Sequence, residues 1–191
     1  VEYTVNNFQQ VNTPASDFAP VLTGKGLVFS SSREGSRKKF VSLSEDINVT
    51  RMDLYYQDLQ RRDGEFSPIS TLEEINSHLH ESAATFSRDG TEVYFTRTIT
   101  GKKDKKTNSV LNSLQVFSSV KDASGEWSEP GSAFDFNTTL YSVGQPSLSA
   151  DGTRIFYISD KPDGFGGTDI YYSDLLRDGS WGEMRNLGAR V

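Results

Sequence analysis

The chain has 191 residues, enough for one domain with a substantial core, and its net charge of −6 argues against nucleic acid as the main partner. It contains no cysteine, which excludes disulfides, thiolate metal sites and cysteine nucleophiles while leaving the redox compartment open. No apolar run approaches the roughly eighteen residues of a membrane-spanning helix, and the opening on Val1 rather than Met reads as a mature or excised piece.

Residues 1–11 mix polar and apolar positions around Tyr3, Val5 and Val11, and the pattern predicts the outer strand of a preceding unit. A first unit follows over 13–75, with strands expected at 18–22, 27–31, 53–57 and 66–70 and a short turn at Gly24-Lys25-Gly26. A second unit spans 76–136, and a third spans 137–191. In the third, Asp151-Gly152 lies between two β-rich segments, a strong hairpin signal because a type I′ turn needs positive φ. Ile155-Phe156-Tyr157-Ile158 is a continuous apolar run, which predicts a strand covered on both faces rather than one with a wet side. A third strand is expected over 169–173 and a fourth from Trp181. Residues 72–75 could form a helical turn, but the repeat puts them in a connection, so almost no helix is expected.

The three units share their landmarks. Ser149-Ala150-Asp151-Gly152-Thr153-Arg154-Ile155-Phe156-Tyr157 aligns with Ser87-Arg88-Asp89-Gly90-Thr91-Glu92-Val93-Tyr94-Phe95, and with Leu27-Val28-Phe29 after a turn two residues shorter. The third strands align at Leu54-Tyr55, Val116-Phe117 and Ile170-Tyr171, and each fourth strand is expected to open on an aromatic, Phe66, Trp127 or Trp181. An asparagine, Asn12, Asn76 or Asn137, precedes each unit. A supersecondary unit repeated at this period, with four short strands per copy, predicts an all-β fold: a β-propeller segment of three four-stranded antiparallel blades plus one leading outer strand.

The pattern Pro-Ser-x-Ser-x-Asp-Gly-x-x-Ile-x-Tyr from Pro146, then Gly-Gly-x-Asp-Ile-Tyr ending at Tyr171, then Gly-x-Trp ending at Trp181, resembles the WD40-like β-propeller repeat of the TolB type. The stretch Gly164-Phe165-Gly166-Gly167-Thr168-Asp169-Ile170-Tyr171 is similar to propellers in OmpA-class, peptidoglycan-associated outer-membrane proteins of Bacteroidetes. In that family the propeller stands beside tetratricopeptide, carboxypeptidase-regulatory-like and OmpA-like domains. The resemblance implies a non-catalytic interaction or scaffolding module with a protein partner in the cell envelope, periplasmic and associated with the outer membrane. Two alternatives stay open: the substrate-gating propeller of a prolyl-oligopeptidase-like peptidase, and a glycan- or peptidoglycan-binding propeller.

No catalytic set assembles from the sequence: there is no Gly-x-Ser-x-Gly elbow, and Gly164-Phe165-Gly166-Gly167 precedes a strand rather than a phosphate-binding helix. Asp53 and Asp169 share a repeat position, where acceptance of backbone hydrogen bonds within one blade outweighs an acid–base pair. Asp160, Asp163 and Asp169 surround the glycine-rich link and could hold calcium, but they do not match an EF-hand spacing, so no cofactor is expected. His78 and His80 lack a third ligand at a known spacing and read as solvent-exposed, with no metal site. The recurring aromatics, Trp127 and Trp181 above all, are expected in blade-to-blade packing.

The functional signal lies in two inserts between second and third strands, over 33–51 and 97–113. The first sets Arg33, Arg37, Lys38, Lys39 and Arg51 against Glu34, Glu45 and Asp46; the second sets Arg97, Lys102, Lys103, Lys105 and Lys106 against Asp104. Such loops leave neighbouring blades on one rim, so Arg37, Lys38, Lys39, Phe40, Lys102, Lys103, Lys105 and Lys106 are the expected partner-binding residues, with Val41, Leu43, Val110 and Leu111 as further apolar anchors. Three blades leave open edges, so the rest of the propeller or another chain is expected to cover them.

Overall fold

A computed structural model describes residues 2–34, 51–103 and 110–191, and among these there is no helix. The strands are β1 (Asp17–Thr23), β2 (Gly26–Ser31), β3 (Asp53–Asp58), β4 (Arg61–Arg62), β5 (Glu65–Phe66), β6 (Ser70–Thr71), β7 (Glu81–Phe86), β8 (Glu92–Lys103), β9 (Val110–Val120), β10 (Gly131–Ser132), β11 (Val143–Leu148), β12 (Arg154–Ser159), β13 (Asp169–Asp174) and β14 (Arg185–Asn186). They form three four-stranded antiparallel sheets, β1-β2-β3-β6, β7-β8-β9-β10 and β11-β12-β13-β14, and a two-stranded ribbon β4-β5. None of them closes on itself. No helix among the described residues is long and apolar enough to cross a membrane.

The hairpin turns follow from short polar side chains. In the second and third sheets the carbonyl of Ser87 or Ser149 accepts from the amide of Gly90 or Gly152, and Asp89 or Asp151 accepts from the serine hydroxyl and from the threonine two residues on. Only the glycine has positive φ, 73° and 71°. The turn is therefore a type I turn followed by a left-handed glycine, not the type I′ turn expected, because a five-residue link lets the aspartate stay right-handed and bond its neighbours.

Each first strand carries a bulge at an equivalent place, and in each a non-glycine residue has positive φ: Ala19 at 49°, Ala83 at 42° and Gln145 at 52°. That conformation costs on the order of 1 kcal/mol for a side chain bearing a Cβ. At two of the three it turns the amide toward the preceding sheet. Ala83 N donates to Ser30 Oγ at 3.0 Å and Gln145 N to Thr96 Oγ1 at 2.7 Å. Both acceptors are buried on the second strand of the sheet before.

The sheets stack face to face through these first strands. Val28 and Leu54 of the first sheet pack with Ala84, Val93 and Phe95 of the second around Ile75. Tyr94 and Val116 of the second pack with Val143, Ile155, Tyr157 and Tyr171 of the third around Phe134. A smaller cluster joins Phe29 and Tyr55 to Val11 and Phe8.

Four sequence expectations need correction. Residues 2–11 form no leading outer strand: they pair with none of the described strands, Tyr3 and Val5 are exposed, and the chain instead turns so that Phe8 O accepts from Val11 and Asn12. The fourth strands begin four residues after the aromatic, at Ser70, Gly131 and Arg185; Phe66 itself pairs with Arg61 in the ribbon. Trp127 and Trp181 each make a single bridge, to Lys121 and Leu175, that closes the turn before the strand. Both tryptophans are half-buried rather than buried, Trp181 edge-on to Tyr94 of the neighbouring sheet at 5.7 Å. Finally, buried and half-exposed residues alternate along β12, so one of its faces, not both, is covered.

Candidate interaction rim

The links from second to third strand leave all three sheets at one end. Hydrogen bonds between sheets fix that alignment. Glu81 N donates to Met52 O at 2.9 Å, and Met52 N to His80 Nδ1 at 3.1 Å, tying the start of β3 to the start of β7. Leu114 N donates to Ser142 Oγ at 3.2 Å, tying β9 to the approach to β11. His80 is thus a half-buried acceptor, not a solvent-exposed loop histidine: the main-chain amide of the neighbouring sheet needs a partner once water is excluded.

The second insert is not a loop. The β8–β9 ladder continues past Arg97↔Gln115 through Thr98↔Leu114, Ile99↔Ser113 and Thr100↔Asn112, and reaches Lys103↔Val110 after a register shift. Threonine, isoleucine and valine on facing strands favour this continuation, being β-branched. The result is a two-stranded arm running beyond its own sheet. Lys102 and Lys103 fall at the end of one strand, and Val110 and Leu111 at the start of the other. Lys105 and Lys106 lie outside the described residues, as do Arg37, Lys38, Lys39, Phe40, Val41 and Leu43 of the first insert.

The arginines bounding the inserts are taken up internally. Arg33 pairs with Asp17 at 2.7 Å, donates to Val11 O at 2.5 Å and lies over the Phe29 ring at 4.8 Å. Arg97 pairs with Glu81 at 2.7 Å, donates to Ile75 O at 2.8 Å and lies over the Phe117 ring at 4.6 Å. The arginine, its carboxylate and its carbonyl partner recur at the same spacing from the asparagine, Asn12 or Asn76. Thr13 on Asp17 and Ser77 on Glu81 complete the match. The signal was present in the sequence as Asn-Thr-x3-Asp-x15-Arg and Asn-Ser-x3-Glu-x15-Arg, and went unread. The third sheet has Val143 facing Ser159 instead.

The two carboxyls respond differently. Burial alone would raise the Asp17 value, but hydrogen bonds from Ser31, Arg33 and Thr13 outweigh it and hold the group down at about 2. Glu81 is fully buried and its Oε2 has no hydrogen-bond partner; burial pushes its value up, against the pull of Ser77 and Arg97.

Arg51 forms a bidentate pair with Asp53, at 2.8 and 3.0 Å. Asp53 therefore binds a guanidinium where backbone amides were expected, because Arg51 lies two residues away on the same side of the strand. With Arg33, Arg51 and Arg97 internally paired, the first insert retains three basic residues (Arg37, Lys38, Lys39) against three acidic ones, and the second retains four lysines against Asp104. Of those four lysines, Lys102 and Lys103 at the end of β8 fall within the described residues.

The glycine-rich link of the third sheet is held by Asp169, which accepts from Phe165 N at 2.6 Å and Gly166 N at 3.0 Å. A Cβ at Gly164 would stand 2.0 Å from Asp169 Oδ2, so only glycine admits the carboxylate there. Asp160 accepts from Ser142 N at 2.6 Å. Asp160 and Asp169 thus each hold main-chain amides.

No protein-family model matches the chain, and no curated protein matches it. Among solved structures, similar ones are a Mycobacterium tuberculosis puromycin-hydrolyzing peptidase and the tricorn protease. The first has a TM-score of 0.44 and 12% identity over 94% of this chain and 33% of that one. The second has a TM-score of 0.44 and 15% identity over 87% of this chain and 14% of that one. The chain spans a third or less of the length of either.

Proposed function

We propose that the three sheets are consecutive blades of a TolB-type β-propeller, and that the chain is a protein-interaction module of the cell envelope, periplasmic and associated with the outer membrane. The observation that carries the binding role is the β8–β9 arm: a hairpin extended past its own sheet, with Lys102 and Lys103 at the end of β8, in a sequence that sets four lysines against one aspartate over 102–106. A rigid sheet that presents an extension of this kind is the usual way a scaffold displays a binding element. Its partner is an acidic protein surface. Exposed lysines speed and steer association, and the apolar residues Val110 and Leu111 of the same arm supply the contact that holds.

Replacing 99–112 by a link as short as 161–167 tests this. The shortened protein should keep its melting transition and lose, at low salt, the envelope protein that the parent retains from an outer-membrane extract. Unchanged capture by a folded, shortened protein would remove the arm from the account.

A further inference from the structure

We propose that the junction between the first and second sheets is a proton-sensitive latch: the His80 residue joins the root of the first insert to the root of the β8–β9 arm, and protonation of its imidazole opens that joint. The proposal stands on the geometry of the joint and not on what binds the arm.

His80 holds both roots. Its Nδ1 accepts from the amide of Met52, the residue that follows the first insert, at 3.1 Å. Its carbonyl accepts at 2.9 Å from the amide of Thr98, the first residue of β8 beyond the ladder with β7. The next residue completes the joint, Glu81 N donating to Met52 O at 2.9 Å.

For Nδ1 to accept, the ring must carry its single hydrogen on Nε2. A second proton goes onto Nδ1 and sets an N–H against the Met52 N–H. Two donors cannot share that space, so the bond is lost and the half-buried Met52 amide must find water. Histidine is the side chain that ordinarily changes charge between about pH 5 and 8. The latch is therefore closed on the alkaline side of that range and released on the acid side.

The chain carries its own control. Ser142 and Leu114 are the repeat equivalents of His80 and Met52, at the offset that carries Val93 onto Ile155. Between the second and third sheets Leu114 N donates to Ser142 Oγ at 3.2 Å. The same joint is thus made once with a ring that takes up a proton and once with a hydroxyl that does not. Serine meets the need for an acceptor, so what the imidazole adds is the response to acid.

The charged groups at the junction are Arg51 and Asp53 at the start of β3, Glu81 at the start of β7 and Arg97 on β8, with His78 two residues before the ring. Asp53 is matched by Arg51 and Glu81 by Arg97, so these four charges cancel. Glu73 and Glu74, farther back in the same connection, are exposed.

Amide exchange followed by NMR on the whole chain, from about pH 5 to 8, reads both joints at once. On acidification the protection of Met52, corrected for the intrinsic pH dependence of exchange, should fall about tenfold relative to Leu114, in step with titration of the His80 ring. His80→Asn places an acceptor oxygen where Nδ1 stood and does not titrate, so its Met52 protection should be equal at both ends of the range. His78→Gln should keep the parent's response. Met52 and Leu114 responding alike would overturn the latch, as would a His80→Asn variant that still responds or a His78→Gln variant that does not. If His80→Asn fails to fold, the comparison of Met52 with Leu114 in the parent and in His78→Gln decides. Partner capture does not enter, so failure here leaves the binding role of the arm untouched.

Discussion

Asp17 and Glu81 stand at one repeat position, and each pairs with an arginine sixteen residues on, yet their surroundings push them in opposite directions. Both oxygens of Asp17 are occupied, one by Ser31 and Arg33 and the other by the Thr13 amide and hydroxyl. Glu81 has two donors on Oε1 and none on Oε2. Because the Asp17 value falls to about 2 on folding, its contribution is complete above its ordinary value of 3.8 and is lost as pH drops through about 2. The Glu81 value rises on folding, so whatever it contributes is present below its ordinary 4.5 and is lost as pH climbs through the raised value. Asp17→Asn should therefore cost about 2 kcal/mol at pH 7 and flatten the acid limb of the stability curve between about pH 4 and 2. Glu81→Gln should cost less than about 1 kcal/mol and leave that limb intact. Urea denaturation over a pH series measures both; equal losses at neutral pH would mean that the orphaned oxygen of Glu81 is irrelevant.

At the scale of elements, the sheets are held in register by side chains that the strand pattern did not single out. Thr96 is the clearest. Its hydroxyl accepts the amide of the left-handed Gln145 in the next sheet, and Thr96→Val keeps the shape while removing the acceptor. The loss should be about 1–2 kcal/mol in denaturant midpoint terms, while Thr100→Val, exposed on the arm, should be neutral within about 0.5 kcal/mol. Equal effects would sink the inter-sheet bond as a stabilising device. The strands of the first, second and third positions were legible, because Asp-Gly turns and apolar segments fix where the ladder starts. The fourth strands were misplaced by four residues because an aromatic after Gly-x looks like a strand opening, whereas it closes the turn: Lys121 stands 4.7 Å over the Trp127 ring, and Arg61 4.7 Å over Phe66. The bulges were not legible at all. Two alanines and a glutamine, Ala19, Ala83 and Gln145, carry no common bulge signature, and their backbone conformation marks them, with a hydroxyl opposite at Ala83 and Gln145. In the arm, a run of lysines beside Gly101 reads as a loop in the sequence, although the β-branched Thr98, Ile99 and Thr100 before it continue the ladder.

For the whole molecule, the apolar run at Ile155 to Ile158 predicts two covered faces, and the structure covers the one that bears Ile155 and Tyr157. Successive sheets lock together through a left-handed bulge amide and a buried hydroxyl of the sheet before. Amide hydrogen exchange at Ala19, Ala83 and Gln145, on dilute protein, measures that lock at three equivalent positions. Ala83 and Gln145 should exchange slowly, near the rate set by global unfolding, because Ser30 and Thr96 hold them. Ala19, which no hydroxyl of a neighbouring sheet reaches among the described residues, should exchange orders of magnitude faster. Comparable fast exchange at all three would contradict the stacking.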